Sequence, residues 1–141
     1  MLNGKKVYAI IPARSGSKGI PGKNLYKING VSILERTVLL AKKCSYVDNV
    51  FISTDDDEMY EISRRLDVST STKRPSSLAT DTSLTIDVLD HVIKEENIED
   101  DAYIILLQTT SPLRLHKDME TLFSNFEENI EKFDSVVSIT E

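Results

Sequence analysis

The chain has 141 residues, 40% of them hydrophobic, enough for one domain with a sizeable core. Its net charge of −6, with the cations gathered in one loop, excludes the broad basic face that nucleic acid binding requires. No apolar run approaches membrane-spanning length, and Lys5-Lys6 is followed by too few apolar residues for a signal peptide, so a cytoplasmic protein without a membrane segment is expected.

In chain order, Val7–Ile11 is an apolar run of the kind found in buried central strands. It breaks at Pro12 into a loop holding Gly16, Gly19, Pro21 and Gly22, with cations at Arg14, Lys18 and Lys23. After an Asn29-Gly30 turn, Ser32 and Glu35 read as a capping box that opens a helix to about Lys43. The single cysteine, Cys44, falls on that helix face as a buried small hydrophobe and cannot close an internal disulfide. Val50–Ser53 is a second strand, and Asp55 to Asp57 start a helix through Arg65, where acids suit a helix N-terminus. Residues 66–83 carry a short strand at best, then a polar loop.

Thr85–Lys94 has helical spacing at Ile86, Leu89 and Ile93. Tyr103–Leu107 is the clearest buried strand, 108–114 a loop, Met119–Phe126 a helix and Ser135–Ile139 another strand. Strands alternating with helices predict an α/β fold, a doubly wound, mostly parallel sheet with helices on both faces. Residues 1–141 are expected to form one unit, with no linker and no second domain within them. Ligands bind such sheets beyond the carboxyl ends of the strands. The polar loops Pro12–Asn24, Thr54–Asp56 and Gln108–Arg114 all follow strand ends and should gather on one edge.

The first loop has the chemistry of a phosphate cradle, because glycines let backbone N–H groups approach an anion that Lys and Arg neutralise. No Asp or Glu precedes Glu35, whereas six of the 17 Lys and Arg do. The plainer alternative is a tight turn carrying solvated cations. Two familiar phosphate motifs fail. For G-x-x-x-x-G-K-[ST], Ser17 replaces the first glycine and Asn24 the metal-binding hydroxyl; for G-x-G-x-x-G, the glycines fall at Gly16, Gly19 and Gly22. Asp55 and Asp56 look like a metal pair but are better explained by the helix start, and His91 and His116 belong to no ligand set.

A third pattern does fit. The run IIPARSGSKGIPGKNL, followed by STDD at Ser53–Asp56, KRPSSLATDTS at Lys73–Ser83 and LLQTTSPLR at Leu106–Arg114, resembles the motifs of the CMP-sialic acid synthetase (acylneuraminate cytidylyltransferase) family in order and spacing. The resemblance covers nearly the whole chain. It implies a nucleotide-diphospho-sugar transferase-like fold and transfer of CMP from CTP to the anomeric hydroxyl of a sialic-acid-like 2-keto sugar acid. The loop reads SKGIPGKN, whereas related octulosonate enzymes show an arginine and leucine before Pro-Gly-Lys, which tilts the substrate toward nonulosonic acids.

By the same resemblance, Arg14, Lys18 and Lys23 are the catalytic cations. Lys18 and Lys23 hold the triphosphate, and Arg14 meets charge at the reacting phosphate. Asn24 and the Ala13 backbone meet base or sugar, and Arg74 meets the cytosine edge. Gln108, Thr110, Ser111 and Arg114 complete the substrate site. Each has a plainer alternative. Lys23 would be a solvated turn lysine, Arg74 a surface charge and Arg114 a salt-bridge partner, while Asp81 would cap the next helix as readily as touch ligand. Thr109 stands where the family commonly shows proline, which affects local loop shape. The family's chains run beyond 141 residues, so its magnesium acids and the segment that builds its homodimer are expected later than residue 141. This chain is then a nucleotide-binding portion incomplete for catalysis. The alternative is a nucleotide-binding module without catalysis.

Overall fold

The central strand of the protein, in a computed structural model that describes residues 1–16, 19–68 and 73–139, is β1 (Val7–Pro12). It lies between β4 (Asn49–Ser53) and β5 (Tyr103–Leu106) in a three-stranded parallel sheet of order β4-β1-β5. Tyr8 is in register with Asn49 on one side and Ile104 on the other. A strand flanked on both edges and covered on both faces must be apolar throughout, which is why Val7 to Ile11 shows no polar alternation.

Side chains of a strand alternate between faces, and the packing follows that period of two. Val7, Ala9, Ile11 and Ala13 enter one core cluster with Val50, Ile52 and Leu107. Three helices cover this face: α1 (Ile33–Lys43) through Leu34, Val38 and Ala41, α2 (Asp57–Arg65) through Met59 and Ile62, and α4 (His116–Glu128) through Met119, Phe123 and Phe126. Tyr8 and Ile10 point the other way, to Phe51 and to α3 (Thr85–Glu95), which contributes Val92. Helices therefore lie on both faces, and each fully buried Ile or Val stabilises the fold by about 1.5–3 kcal/mol.

Local chemistry sets the boundaries. The capping box is present: Glu35 donates its N–H to Ser32 Oγ at 3.1 Å, and Ser32 returns its N–H to Glu35 Oε2 at 2.9 Å. Asn29 and Gly30, with φ of 51° and 80°, make the two-residue turn of a small hairpin, β2 (Lys27–Ile28) and β3 (Val31–Ser32). Asp56 caps α2 by accepting the Met59 N–H at 2.9 Å, so the helix begins at Asp57.

Three expectations are corrected. Ser135–Ile139 forms no strand, and Val137 and Ile139 are 79% and 87% exposed. An apolar run gains a strand only by pairing with a neighbour, and this one pairs with none among the described residues. The described part of residues 66–83 holds no strand, only a short 3-10 turn at Ser76–Leu78. Cys44 is buried as expected, but it terminates α1 rather than occupying its face.

Candidate functional site

The order β4-β1-β5 places β1 where the chain changes direction across the sheet: the first connection leads to one side of it and a later one to the other. A crevice opens beyond the carboxyl ends at such a point. A cleft of about 280 Å³ is found there, lined by Pro12, Arg14, Gly16, Lys23 and Asn24 from the first loop, by Gln108, Thr109 and Thr110 after β5, and by residues 74–88 in front of and along α3.

The strand period explains which side chains arrive. Pro12 and Arg14 continue the even-numbered series of Tyr8 and Ile10, so they face the α3 side, whereas Ala13 follows Ile11 into the opposite core. Gln108 continues Ile104 and Leu106 in the same way. The residues flanking Arg14 are tied to the end of β4. Ala13 donates its N–H to the Ser53 carbonyl at 2.9 Å, and Ser15 donates N–H and hydroxyl to the two Asp55 oxygens at 2.9 and 2.6 Å. Partial burial pushes the Asp55 carboxyl up, but the Ser15 bonds outweigh it and hold Asp55 below its usual value.

Arg74 is buried at 6% exposure. Its Nε donates to Ser53 Oγ at 3.0 Å, its Nη2 to the Ser53 carbonyl at 2.6 Å, and its backbone N–H to the Thr54 carbonyl at 2.8 Å. Burial pushes this guanidinium below its usual value, the Asp55 charge partly restores it, and Arg14 lowers it further. The group is thus a fixed cation in the wall of the cleft. Arg14 pairs with Asp81, Nη2 to Oδ1 at 2.7 Å. Lys23 has no carboxylate partner among the described residues.

Of the residues singled out in the sequence, Arg14, Lys23, Asn24, Arg74, Gln108 and Thr110 come together at this cleft. Lys18 lies outside the described residues. Ala13, Ser111 and Arg114 are not in its lining. Ala13 has spent its N–H on Ser53, so its carbonyl is the backbone group it can offer. The Ser111 carbonyl accepts the Arg114 N–H at 3.3 Å, and Arg114 keeps a buried Nη1 without a hydrogen-bond partner, so no salt bridge accounts for it among the described residues. Asp81 turns to Arg14 instead of capping α3, whose first residue is preceded by Leu84 without a side-chain cap. Thr109 affects more than local loop shape: its hydroxyl donates to Asn24 Oδ1 at 2.6 Å.

The carboxylates described do not make a magnesium site. No group of three or more His, Cys, Asp or Glu is placed to hold a metal ion among the described residues. Asp55 accepts from Ser15 with both oxygens, and Asp56 accepts the Met59 N–H with Oδ1. What the cleft can do is bind an elongated polyanion: fixed or half-buried cations on one wall, amide and hydroxyl groups on the other.

The family model described as cytidylyltransferase matches residues 8–141. The chain is 34% identical over 137 residues to the N-acylneuraminate cytidylyltransferase of Streptococcus agalactiae serotype V, which covers 93% of this chain and 32% of that protein. It is 34% identical over 113 residues to the CMP-N,N'-diacetyllegionaminic acid synthase of Legionella pneumophila, 77% of this chain and 48% of that one. A solved structure of CMP:2-keto-3-deoxy-manno-octonic acid synthetase complexed with CTP superposes with a TM-score of 0.72 at 26% identity, over 89% of this chain and 49% of that chain. The chain thus spans about a third to a half of the length of these proteins.

Proposed function

The chain belongs to the cytidylyltransferase family, and from that premise we propose that its cleft takes CTP and serves transfer of CMP to the anomeric hydroxyl of a sialic-acid-like 2-keto sugar acid. The observation that carries this reading is the convergence of Arg14, Lys23, Arg74 and Gln108 on one cleft at the carboxyl ends of β1 and β5. In the reaction the hydroxyl oxygen attacks the α-phosphorus and loses its proton. A new P–O bond forms, the bond to the bridging oxygen of the β-phosphate breaks, and pyrophosphate leaves. Such chemistry depends on positioning and on neutralising phosphate charge, which the loop cations supply.

Lys23, half-buried and without a carboxylate partner among the described residues, is suited to the triphosphate. Arg14 is held on the cleft side by the ties on either flank and can follow the charge at the α-phosphate once it leaves Asp81. Arg74, fixed at the base of the cleft, presents donors to a base carbonyl. Gln108 adds hydrogen bonding without negative charge beside the phosphates. The names of the Streptococcus and Legionella relatives support a nonulosonic acid as acceptor.

The test is a titration of the protein with CTP, UTP and ATP, and an assay of pyrophosphate release with CTP, magnesium and a panel of nine-carbon 2-keto acids. CTP preferred over the other two, with release that depends on the acid, supports the proposal. CTP binding without release by any acid would leave a nucleotide-binding module, and equal binding of all three nucleotides would sink the base assignment.

A further inference from the structure

We propose that Thr109 is a positioning residue for the nucleotide site: its hydroxyl anchors the oxygen end of the Asn24 amide and thereby steadies a hydrogen-bond donor at the cleft. The inference rests on reading that cleft as a CTP site. Asn24 and Thr109 are 6% and 4% exposed, buried for polar side chains, and both line the cleft. Asn24 Nδ2 donates to the Arg14 carbonyl at 3.1 Å, and Thr109 Oγ1 donates to Asn24 Oδ1 at 2.6 Å.

These two bonds admit one arrangement. A backbone carbonyl only accepts, so the nitrogen end of the amide must face Arg14. The oxygen end then faces Thr109, and a hydroxyl beside an acceptor must donate. A flipped amide would set its oxygen against the Arg14 carbonyl, so that carbonyl fixes which way round the amide lies and the Thr109 hydroxyl anchors its oxygen end. Three segments are joined this way: the start of the loop after β1 at Arg14, the 3-10 turn Lys23–Leu25 in the same loop, and, 85 residues from Asn24, the end of β5.

The amide carries two Nδ2 hydrogens, and Arg14 takes one. The other meets no acceptor among the described residues, on a residue that lines the cleft. A buried donor of this kind is normally satisfied, and the acceptor-rich CTP would satisfy it. A valine or proline at position 109 has no hydroxyl to give, leaving Oδ1 without this partner and the amide held at its nitrogen end alone. The Asn24-to-Arg14 bond also fixes the backbone from which the Arg14 side chain departs.

The test uses calorimetric titration of the chain with CTP, with thermal melts alongside. Thr109→Val keeps the shape and removes the hydroxyl; Thr109→Ser keeps the hydroxyl. Thr109→Val should weaken CTP by about tenfold, and Thr109→Ser should return affinity to within about twofold of the parent. In an Asn24→Ala background, Thr109→Val should change affinity by less than about twofold, since the group it anchors is gone. Should the valine chain not melt cooperatively, Thr109→Ala is read against Thr109→Ser in its place. Unchanged CTP affinity in Thr109→Val, a serine variant as weak as the valine one, or a full valine effect without Asn24 would each overturn the proposal. A folded parent that takes up no CTP overturns the CTP reading together with it, whereas a parent that binds and a valine variant that binds equally well overturns this inference alone.

Discussion

Arg14 and Asp81, 67 residues apart, meet at 2.7 Å across the mouth of the cleft. Both side chains are partly exposed, so the pair adds little to stability, of the order of 1 kcal/mol or less. Its bearing is on the ligand. Phosphate oxygens and the Asp81 carboxylate compete for the same guanidinium, and the carboxylate repels the incoming anion. Asp81→Asn should therefore tighten pyrophosphate and CTP by a few-fold and shift the melting midpoint little. Weaker binding in a titration would show that Asp81 instead holds Arg14 in its working position.

Lys23 and Lys27 lie four residues apart in different surroundings, the first at the cleft and the second exposed on β2. A charge-assisted contact to phosphate contributes roughly 1.5–3 kcal/mol, while a screened surface charge contributes roughly 1 kcal/mol or less. Lys23→Ala should lower CTP affinity at least tenfold, and Lys27→Ala by less than about fivefold. Equal losses would mean that this end of the chain is a general basic patch.

Arg74 has two tasks, and a substitution should separate them. Removing it leaves the Ser53 hydroxyl without its buried donor and the Ser53 carbonyl with the Ala13 N–H alone, at a cost of about 1–3 kcal/mol in unfolding free energy. It should also erode the preference for CTP over UTP and ATP while leaving pyrophosphate affinity nearly unchanged. Chemical denaturation reads the first effect and titration at low temperature the second. Parallel loss of pyrophosphate and CTP would move Arg74 into the phosphate site.

Away from the cleft, Glu99 accepts the Tyr8 hydroxyl at 2.6 Å and the Lys6 ammonium at 2.9 Å. The Tyr8 bond, then the Lys6 bond, hold its carboxyl down from 4.5 to about 2. Its ionised form therefore stabilises the fold above about pH 4.5, and that contribution is lost as pH falls toward 2. Glu99→Gln should lower the urea midpoint at about pH 6 and do so much less at about pH 2. An equal deficit at both would show that the bonds do not depend on ionisation.

Much of the site was legible because it is carried by local signals. A buried strand, a capping box and an Asn-Gly turn each have a short-range physical cause, and each appears where its residues stand. Three polar loops at carboxyl ends follow from parallel pairing, and two of them, with the KRPSSLATDTS stretch, build the cleft. Other features depend on contacts that a sequence does not display. Asp81 is equally able to cap or to pair, and only the approach of Arg14 decides. Thr109 next to Gln108 gives no hint of a partner 85 residues earlier. Ser135–Ile139 has the composition of a strand, but composition does not provide a neighbour to pair with.

The ties flanking Arg14 have a consequence for what may vary in this segment. Ala13 is bonded to Ser53 and Ser15 to Asp55, with Arg14 turned oppositely between them. Its direction is a matter of parity, counted from Val7 along the strand. Many exchanges of residue type between Ile11 and Ser15 would preserve that count. Deleting or inserting one residue would not: it would swing the cation toward the apolar layer beneath α1 and an alanine toward the cleft. Spacing here is under a constraint that residue identity does not reveal, so related chains should differ in the letters of this segment more freely than in its length.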